Sequence, residues 1–581
     1  MTEGAAAEPS PARLQTAPSP RTVSGDGGDR LLAGLVGIVV VGLCLLPMLR
    51  LLVEALLPAH DGAWPLASLW SRSVVKAGTN TVLSCTGASL ISLVAGGGLA
   101  LVIGLTDVRN KSLLTLLCLL PLLIPPQISA LAWIRLLDSG TPVRNAIEAL
   151  VGPISGHPLY GAGGVTWVMG LESTPLVFLT VAAAIRRLPC DLIEAARSAG
   201  GSKRHVFTGI ILPLLQPALL AGGALAFVSA IGNFGVPALL GIPGRFTVLT
   251  TLIYQRLSGF GPSVLGETAA LGLVLAVFAG LGLVVQREAL RRAPILRSAG
   301  PTGPILELHD RRPIVEGALW LVLLLFTVVP LLALLAAALS PALGVPLTFQ
   351  SATLENFAYV LMEYQPTQRA FLNSTLISAS AAVITAMLAL VMAYYAEVRR
   401  WRWIRMLDAA ADAPYAIPGT VLAIAMILIF LKPLPLIGVS LYGTSLIILA
   451  AYLSRFLAIV LRPLSAAMRQ VDPTLEEAAR LAGARGPRRL FGIILPTLRP
   501  ALASGALLVF LTGFSELTLS ALLWSQGHET VGVMVFSLQS EGASGQAAAV
   551  ASLTVFVILA LAGLATLAAR RMPKGTLPWM P

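Results

Sequence analysis

Long apolar runs alternate with short polar and charged segments along almost the whole chain. About 18 consecutive apolar residues are enough for a helix to cross a bilayer. Because the hydrocarbon core offers no water to backbone groups, such runs must be helical. The pattern therefore predicts an all-α integral membrane protein with about 12 transmembrane helices, over 31–57, 78–105, 112–137, 164–186, 212–240, 264–286, 314–340, 373–397, 405–432, 443–467, 495–524 and 545–570.

The basic residues fall mainly on one side of these spans. Connections that follow even-numbered spans carry clusters such as the four arginines between Arg399 and Arg405, whereas connections that follow odd-numbered spans carry few. Because positive residues are retained in the cytoplasm, the first helix enters from that side and both termini are cytoplasmic. Residues 1–30, rich in Ala, Pro, Ser and Gly, are predicted to be a disordered tail, and 571–581 a second cytoplasmic tail.

One charged segment occurs twice. EAARSAGGSKRHVFTGIILP covers 194–213, and EAARLAGARGPRRLFGIILP covers 477–496, which is 283 positions later. A second pair, PLLIPPQISALAW from Pro121 and PYAIPGTVLAIAM from Pro414, is offset by 293. Each half then holds six spans, and an even number preserves orientation. The chain is predicted to be two parallel six-helix repeats, a first domain over 31–286 and a second over 314–570, joined by a cytoplasmic linker over 287–313.

We call 194–213 the first repeated segment and 477–496 the second. Each lies between the fourth and fifth spans of its half, and each begins as a short helix that a glycine ends. A loop that merely keeps positive charge in the cytoplasm is the simple interpretation. The duplication at identical spacing instead favours docking onto a twofold partner, through Glu194, Ala195, Ala196, Gly200, Glu477, Ala478, Ala479 and Gly483.

The pattern E-A-A-x3-G-x9-I-x-L-P, matched twice without gaps, resembles the EAA loop of binding-protein-dependent type I ABC importer permeases. The fusion of two permease halves is similar to the ferric-iron transport permeases. The resemblance implies a permease subunit in the bacterial plasma membrane, coupled to two copies of a separate ABC ATPase and served by a periplasmic or lipid-anchored substrate-binding protein. Ferric iron is the expected substrate, and thiamine, 2-aminoethylphosphonate or a polyamine are the alternatives.

Several classes of chemistry lack a signal in the sequence. The chain has no G-x-x-x-x-G-K-[ST] phosphate loop, so we expect ATP on the partner subunit, no cofactor on this chain and no enzymatic activity of its own. No His and carboxylate cluster has metal-ligand spacing, which predicts no metal site. The formal net charge of +12 comes from residues between apolar runs. It therefore sets topology against membrane lipid and does not indicate nucleic-acid binding.

Four polar residues inside predicted spans are candidates for the pathway or gate, because ionisable groups in a bilayer are costly. Glu172 and Arg455 occupy equivalent repeat positions, and we hypothesise that they form an ion pair that locks one state of a gate. The alternative is that each lines a wet cavity separately. Asn233 and Glu516 are also equivalent; they either line the pathway or make polar contacts at a bent helix.

A twelve-helix secondary transporter is the alternative from another class. Such proteins also have six-plus-six parallel repeats and a basic central linker, and they need no ATPase. That alternative gives no reason for two matched segments between the fourth and fifth spans.

Overall fold

The computed structural model describes residues 27–58, 62, 64–259, 263–292, 304–342, 344–345, 347–433, 438–484 and 486–569. Its regular elements are helices, and one isolated β-bridge pairs Thr106 with Leu306. Residues 1–26, 571–581 and the linker positions 293–303 lie outside the described residues, so the predictions made for them stay predictions. The predicted N-terminal tail over 1–30 extends too far, because the first helix begins at Gly27.

Ten helical segments of the described chain are long and apolar enough to cross a membrane, and two bent helix pairs raise the number to twelve if each pair is one span. In chain order we label them α1 Gly27–Leu56, α2 Arg72–Leu105, α3 Lys111–Leu123 with Pro126–Leu136, α4 Ala162–Ile185, α5 Lys203–Gly232, α6 Val264–Arg291, α7 His309–Leu339, α8 Gln365–Val398, α9 Arg402–Ala416 with Gly419–Phe430, α10 Ser445–Met468, α11 Gly486–Phe514 and α12 Ser544–Leu567.

The third and ninth spans are not straight, which corrects the prediction of single helices over 112–137 and 405–432. The helix axis bends by 105° between the two parts of α3 and by 112° between the two parts of α9. Both breaks precede a proline: Ile124 has ψ 127° and Ile417 has ψ 144°, in the extended region that a following proline imposes. Proline also lacks the N–H that would continue the helix. Each pair therefore turns inside the membrane region.

Local irregularities recur between the halves at the repeat spacing. A π-helical turn over Val41–Leu45 in α1 returns 283 positions later over Leu324–Val328 in α7. Another over Phe207–Ile211 in α5 returns over Leu490–Ile494 in α11. A π turn inserts one residue into the helix and shifts the faces that follow it. The two halves therefore share a backbone design as well as a sequence pattern.

The first helix of each half packs against the other half. Residues Ala33, Val36 and Val40 of α1 lie in a core cluster built from α8, α10 and α11. In the same way, Leu319 and Leu323 of α7 lie in a cluster with residues of α2, α4 and α5. This exchange brings the start of α1 beside the second repeated segment and the chain before α7 beside the first.

Close helix contacts within a half depend on small residues. A Cβ at Gly96 of α2 would collide with the carbonyl oxygen of Thr174 in α4. The Ser92 hydroxyl donates to the carbonyl of Gly170 across the same contact, at 2.7 Å. Small residues let membrane helices approach until backbone and hydroxyl groups bond. The α2–α4 pair is thus closely packed, backbone against backbone.

Candidate functional site

The two repeated segments have the same backbone geometry. Each opens with a short helix, Cys190–Ser198 in the first and Pro473–Leu481 in the second. Each helix ends two residues before a glycine in the left-handed region, Gly200 at φ 83° and Gly483 at φ 74°. Only glycine adopts that region without strain, so these positions fix where the chain turns.

The turn after each helix closes with the same pair of hydrogen bonds. The amide of Gly200 donates to Arg197 at 2.9 Å, and the amide of Gly483 donates to Arg480 at 3.0 Å. The next amide reaches back to the second alanine, Ala196 in the first segment and Ala479 in the second. This pairing is the Schellman arrangement, which satisfies the last carbonyls of a helix.

The candidate docking residues divide by exposure. Glu194, Ala195, Gly200, Glu477, Ala478 and Gly483 are exposed, whereas Ala196 is half-buried and Ala479 is buried. Beside them, Leu192 and Leu475 occupy equivalent positions and are 53% and 42% exposed. The recurrence of this leucine at the repeat spacing makes the outward surfaces of the two segments alike. The second alanine of each segment faces inward and anchors the helix.

The second helix is better capped than the first. Asp472 Oδ1 accepts from the amide of Thr474 at 2.9 Å, and Pro473 occupies the first helical position. That hydrogen bond lowers the pKa of the Asp472 carboxyl. The first helix follows Pro189, which provides no side-chain cap.

The chain before α7 holds the first repeated segment. The guanidinium of Arg197 donates to the carbonyl of Ile305, and the amides of Ile305 and Leu306 both donate to the carbonyl of Leu105 at 2.9 Å. Buried Ile193 and Val206 lie in the same core cluster as Ile305. Hydrogen bonds from the Arg197 and Lys203 side chains to backbone carbonyls, together with apolar contact, therefore link this segment to the chain before α7. That chain is in turn bonded to the end of α2.

The hypothesised ion pair between Glu172 and Arg455 is absent from this structure, which corrects the expectation. Glu172 Oε2 accepts from Asn233 Nδ2 at 2.8 Å. Arg455 donates to the carbonyl of Ile417 at 3.3 Å and interacts electrostatically with Glu516. Equivalent positions in two repeats need not meet, and here each residue is engaged within its own half.

Asn233 and Glu516 both stabilise the break that follows the fifth span of their half. Asn233 Oδ1 accepts from the amide of Val236 at 3.1 Å. Glu516 accepts from the amides of Leu519 at 2.9 Å and Ser520 at 3.2 Å. These contacts fit the interpretation as polar groups at a bent helix, with Glu172 and Arg455 as their supports in α4 and α10. A place on the substrate pathway stays a prediction for all four.

Two polar contacts that join the halves were missed by the sequence analysis. Buried Gln127 donates through Nε2 to the carbonyl of Ser515 at 2.7 Å. Arg135, also buried, bonds Gln539 at 2.5 Å and Asp138 at 2.6 Å. The available signal was a polar residue inside an apolar run, because each lies in the second part of α3 after the proline break.

Within the described residues, no group of three or more His, Cys, Asp or Glu side chains is placed to hold a metal ion. Glu172 borders a cavity of about 300 Å³ that Trp133, Phe326 and Pro121 also line. Most of the residues that line this cavity are apolar.

Comparison with known proteins gives matches in both halves. The family model described as "Binding-protein-dependent transport system inner membrane component" matches residues 96–290 and again 385–574, more than half of the chain. A probable ABC transporter permease protein, y4fN, of Sinorhizobium fredii is 29% identical over 94% of this chain and 97% of its own length. The ferric transport system permease protein FbpB of Actinobacillus pleuropneumoniae is 24% identical, over 84% of this chain and 70% of its own length. The sulfate transport system permease protein CysT of Salmonella typhimurium is 26% identical over 40% of this chain and 83% of its own length.

Proposed function

Because the chain belongs to the family of binding-protein-dependent transport system inner membrane components, as the permease subunit of an ABC transporter, we propose that its two repeated segments each receive one copy of a separate ATPase and that its cargo is ferric iron. The permease itself is not the catalytic subunit. ATP hydrolysis belongs to the ATPase pair, and ATP must favour the closed pair if its binding is to shift the permease between two states.

The twin geometry of the repeated segments is the observation that carries the ATPase proposal. Two helices of equal length end in the same glycine turn and expose an equivalent leucine, Leu192 or Leu475. A homodimeric ATPase presents two identical surfaces, so it needs two matching surfaces on the permease. Family membership also excludes the secondary-transporter alternative, which has no use for such a pair.

Support for iron comes from the relatives that span both halves. The ferric transport permease covers 84% of this chain, whereas the sulfate permease covers 40%. A fused two-half design is therefore shared with an iron permease. Thiamine, 2-aminoethylphosphonate and a polyamine remain the alternative cargoes.

The remaining partners follow from the same proposal. A periplasmic or lipid-anchored binding protein delivers the cargo to the face opposite the repeated segments. The basic face, which is the face carrying both repeated segments, lies in the cytoplasm together with both termini, in the plasma membrane of a bacterium. The excess of Lys and Arg in the connections on that face supports this orientation.

The test is ATP hydrolysis in proteoliposomes that contain the permease, the ATPase and the binding protein loaded with ferric iron. We call the helices Cys190–Ser198 and Pro473–Leu481 the first and second docking helix. We expect stimulation by the iron-loaded protein and its loss in the double variant Glu194→Arg/Glu477→Arg, because both glutamates are exposed on these helices. Glu288→Arg, at a partly exposed glutamate near the end of α6 on the basic face, is the matched control.

The outcomes separate the parts of the proposal. Stimulation only by another loaded ligand replaces iron and keeps the coupling scheme. Stimulation that persists in Glu194→Arg/Glu477→Arg contradicts docking on the repeated segments.

A further inference from the structure

A buried carboxylate from the first half lies beneath the second repeated segment. Asp29, in the first turn of α1, has no exposed surface. Its Oδ1 accepts from the Tyr395 hydroxyl at 2.9 Å, and its Oδ2 lies 3.5 Å from Arg489 and 3.6 Å from Arg399. Both arginine side chains are less than one-tenth exposed.

Arg489 carries this contact on to the docking helix. Its Nε lies 3.0 Å from Oε1 of Glu476, which belongs to the helix Pro473–Leu481. The Tyr394 hydroxyl donates to the same oxygen at 2.9 Å, and Arg489 Nη1 donates to the carbonyl of Ala484 at 2.7 Å. Glu476 Oε2 has no hydrogen-bond partner, so the polar contacts of this carboxylate are all made by Oε1.

The backbone of the second segment leaves room for Asp29. A Cβ at Gly486 would overlap the Asp29 carboxylate, so a side chain at this position would expel it. A Cβ built on Gly28, the residue before Asp29, would lie in ordinary contact with Pro487. The start of α1 therefore packs closely against the start of α11, with the Asp29 carboxylate in the space left by the missing side chain of Gly486.

The first repeated segment has none of these groups at the equivalent positions. Glu476, Gly486 and Arg489 correspond, 283 positions earlier, to Ile193, Lys203 and Val206. Ile193 and Val206 are buried there with Ile305. A polar network around Asp29 thus holds one segment, and apolar packing with hydrogen bonds from the Arg197 and Lys203 side chains to backbone carbonyls holds the other.

The difference has a physical consequence. A charge buried away from water is tolerated only while its partners are in place, and removing one partner leaves the others stranded. Apolar contacts have no such all-or-none dependence. The second segment must therefore respond to changes at α1 in a way that the first does not.

We propose that Asp29 is a positioning residue that ties the second repeated segment to the first helix of the opposite half, so that movement of this segment is transmitted to α1 through Arg489. The first segment transmits its movement to the chain before α7 without a buried charge. This inference rests on the proposed function for its role in coupling, but its structural content does not.

Hydrogen exchange followed by mass spectrometry on the full chain in nanodiscs tests the structural content without any ATPase. In Asp29→Asn, which keeps the shape and removes the charge, we expect amides of Pro473–Leu481 to exchange at least about tenfold faster, a loss of about 1.4 kcal/mol of local stability. Amides of Cys190–Ser198 should not change. Asp310→Asn, an exposed aspartate in the first turn of α7, is the matched control.

A second variant approaches the same contact from the other side. Gly486→Ala should displace Asp29 and give the same selective increase, which keeps the test informative if Asp29→Asn does not fold. A double-mutant cycle of Asp29→Asn with Arg489→Gln should be non-additive, because either change alone breaks the same link. A role limited to general packing would instead give additive effects.

Three results would overturn the proposal: equal loosening of both segments, no loosening of the second, or additive effects in the cycle. Failure of the proposed function would look different. It would leave the exchange results intact while Glu194→Arg/Glu477→Arg had no effect on hydrolysis.

Discussion

Glu172 and Arg455 are expected to depend on partners in their own halves. Arg455→Met keeps an unbranched side chain but removes the positive charge that acts on Glu516 and the hydrogen bond to the Ile417 carbonyl. Removing a partner of a buried polar group costs about 1–3 kcal/mol. Because Glu516 retains hydrogen bonds from two backbone amides, we expect a loss of about 1–2 kcal/mol in the free energy of unfolding. Asn233→Ala removes a partner of the Glu172 carboxylate at 2.8 Å and should cost about 1–3 kcal/mol.

The assay is unfolding of the purified permease by SDS titration in mixed micelles, arranged as double-mutant cycles. The cycle Glu172 with Asn233 should show a coupling energy of at least about 1 kcal/mol, because the two side chains are hydrogen-bonded. The cycle Arg455 with Glu516 should show a coupling energy of at least about 0.5 kcal/mol, because their opposite charges attract. The cycle Glu172 with Arg455 should be additive within about 0.5 kcal/mol. Thr180→Ala is the control in α4, since the Thr180 hydroxyl bonds only within its own helix.

The reverse pattern would refute the reasoning. A coupling energy above about 1 kcal/mol between Glu172 and Arg455, with additive behaviour inside each half, would mean that these residues meet across the halves in the populated state. The original ion-pair hypothesis would then hold in place of the arrangement seen here.

Three further predictions concern local geometry. Gly483→Ala should destabilise the end of the second docking helix by about 1 kcal/mol, because its φ of 74° disfavours a Cβ; faster hydrogen exchange there checks it, and Gly492→Ala, with nothing within 4 Å of the new Cβ, is the control. Gly96→Ala should lower the free energy of unfolding by about 1–3 kcal/mol through collision with α4, whereas Gly98→Ala should be tolerated because its Cβ meets nothing within 4 Å; SDS titration separates the two. Folding lowers the pKa of Asp472, so its cap stabilises the second docking helix fully above the ordinary aspartate pKa of about 3.9. This stabilisation is lost as the pH falls through the lower pKa of the folded state. Hydrogen exchange measured at decreasing pH should show the loss, and in Asp472→Asn this pH dependence should be absent.

The apolar pattern predicted most of the architecture because a span is a matter of length and composition. The helices α4 and α10 lie close to their predicted bounds for that reason. The same count could not detect the breaks at Ile124 and Ile417, since an apolar run says how long a segment is and nothing about its direction. The prolines were visible, but membrane helices often tolerate proline without a sharp bend.

The repeat predicted which positions are equivalent but not which positions touch. Glu172 and Arg455 were paired in the prediction because a twofold axis relates them. Contact also requires closeness to the axis, and the sequence contains no such distance. The same limit hid the exchange of α1 and α7 between the halves, which places Asp29 beside Arg489 across 460 positions of chain.

The composition of residues 1–30 led to the wrong assignment of Asp29 to the disordered tail. The residues before it are poor in apolar groups, and one carboxylate at the edge of such a tail gives no sign of burial. The compensating signals lay elsewhere: Gly486 replaces the Lys203 of the other half, and Arg489 replaces Val206. Differences between repeats were therefore more informative about this contact than the similarities that revealed the repeats.

These differences follow from joining the halves in one chain. The proposed partner, which has twofold symmetry, requires the outward surfaces of the two repeated segments to be alike, and they share the exposed leucines Leu192 and Leu475 and the two glycine turns. Nothing imposes that match on the inward surfaces, because each segment rests on a different stretch of the same polypeptide. The first rests on the chain before α7, and the second rests on the start of α1. Fusion thus allows similar outward surfaces to be attached by unlike contacts, so the two segments are free to differ in how they pass on movement.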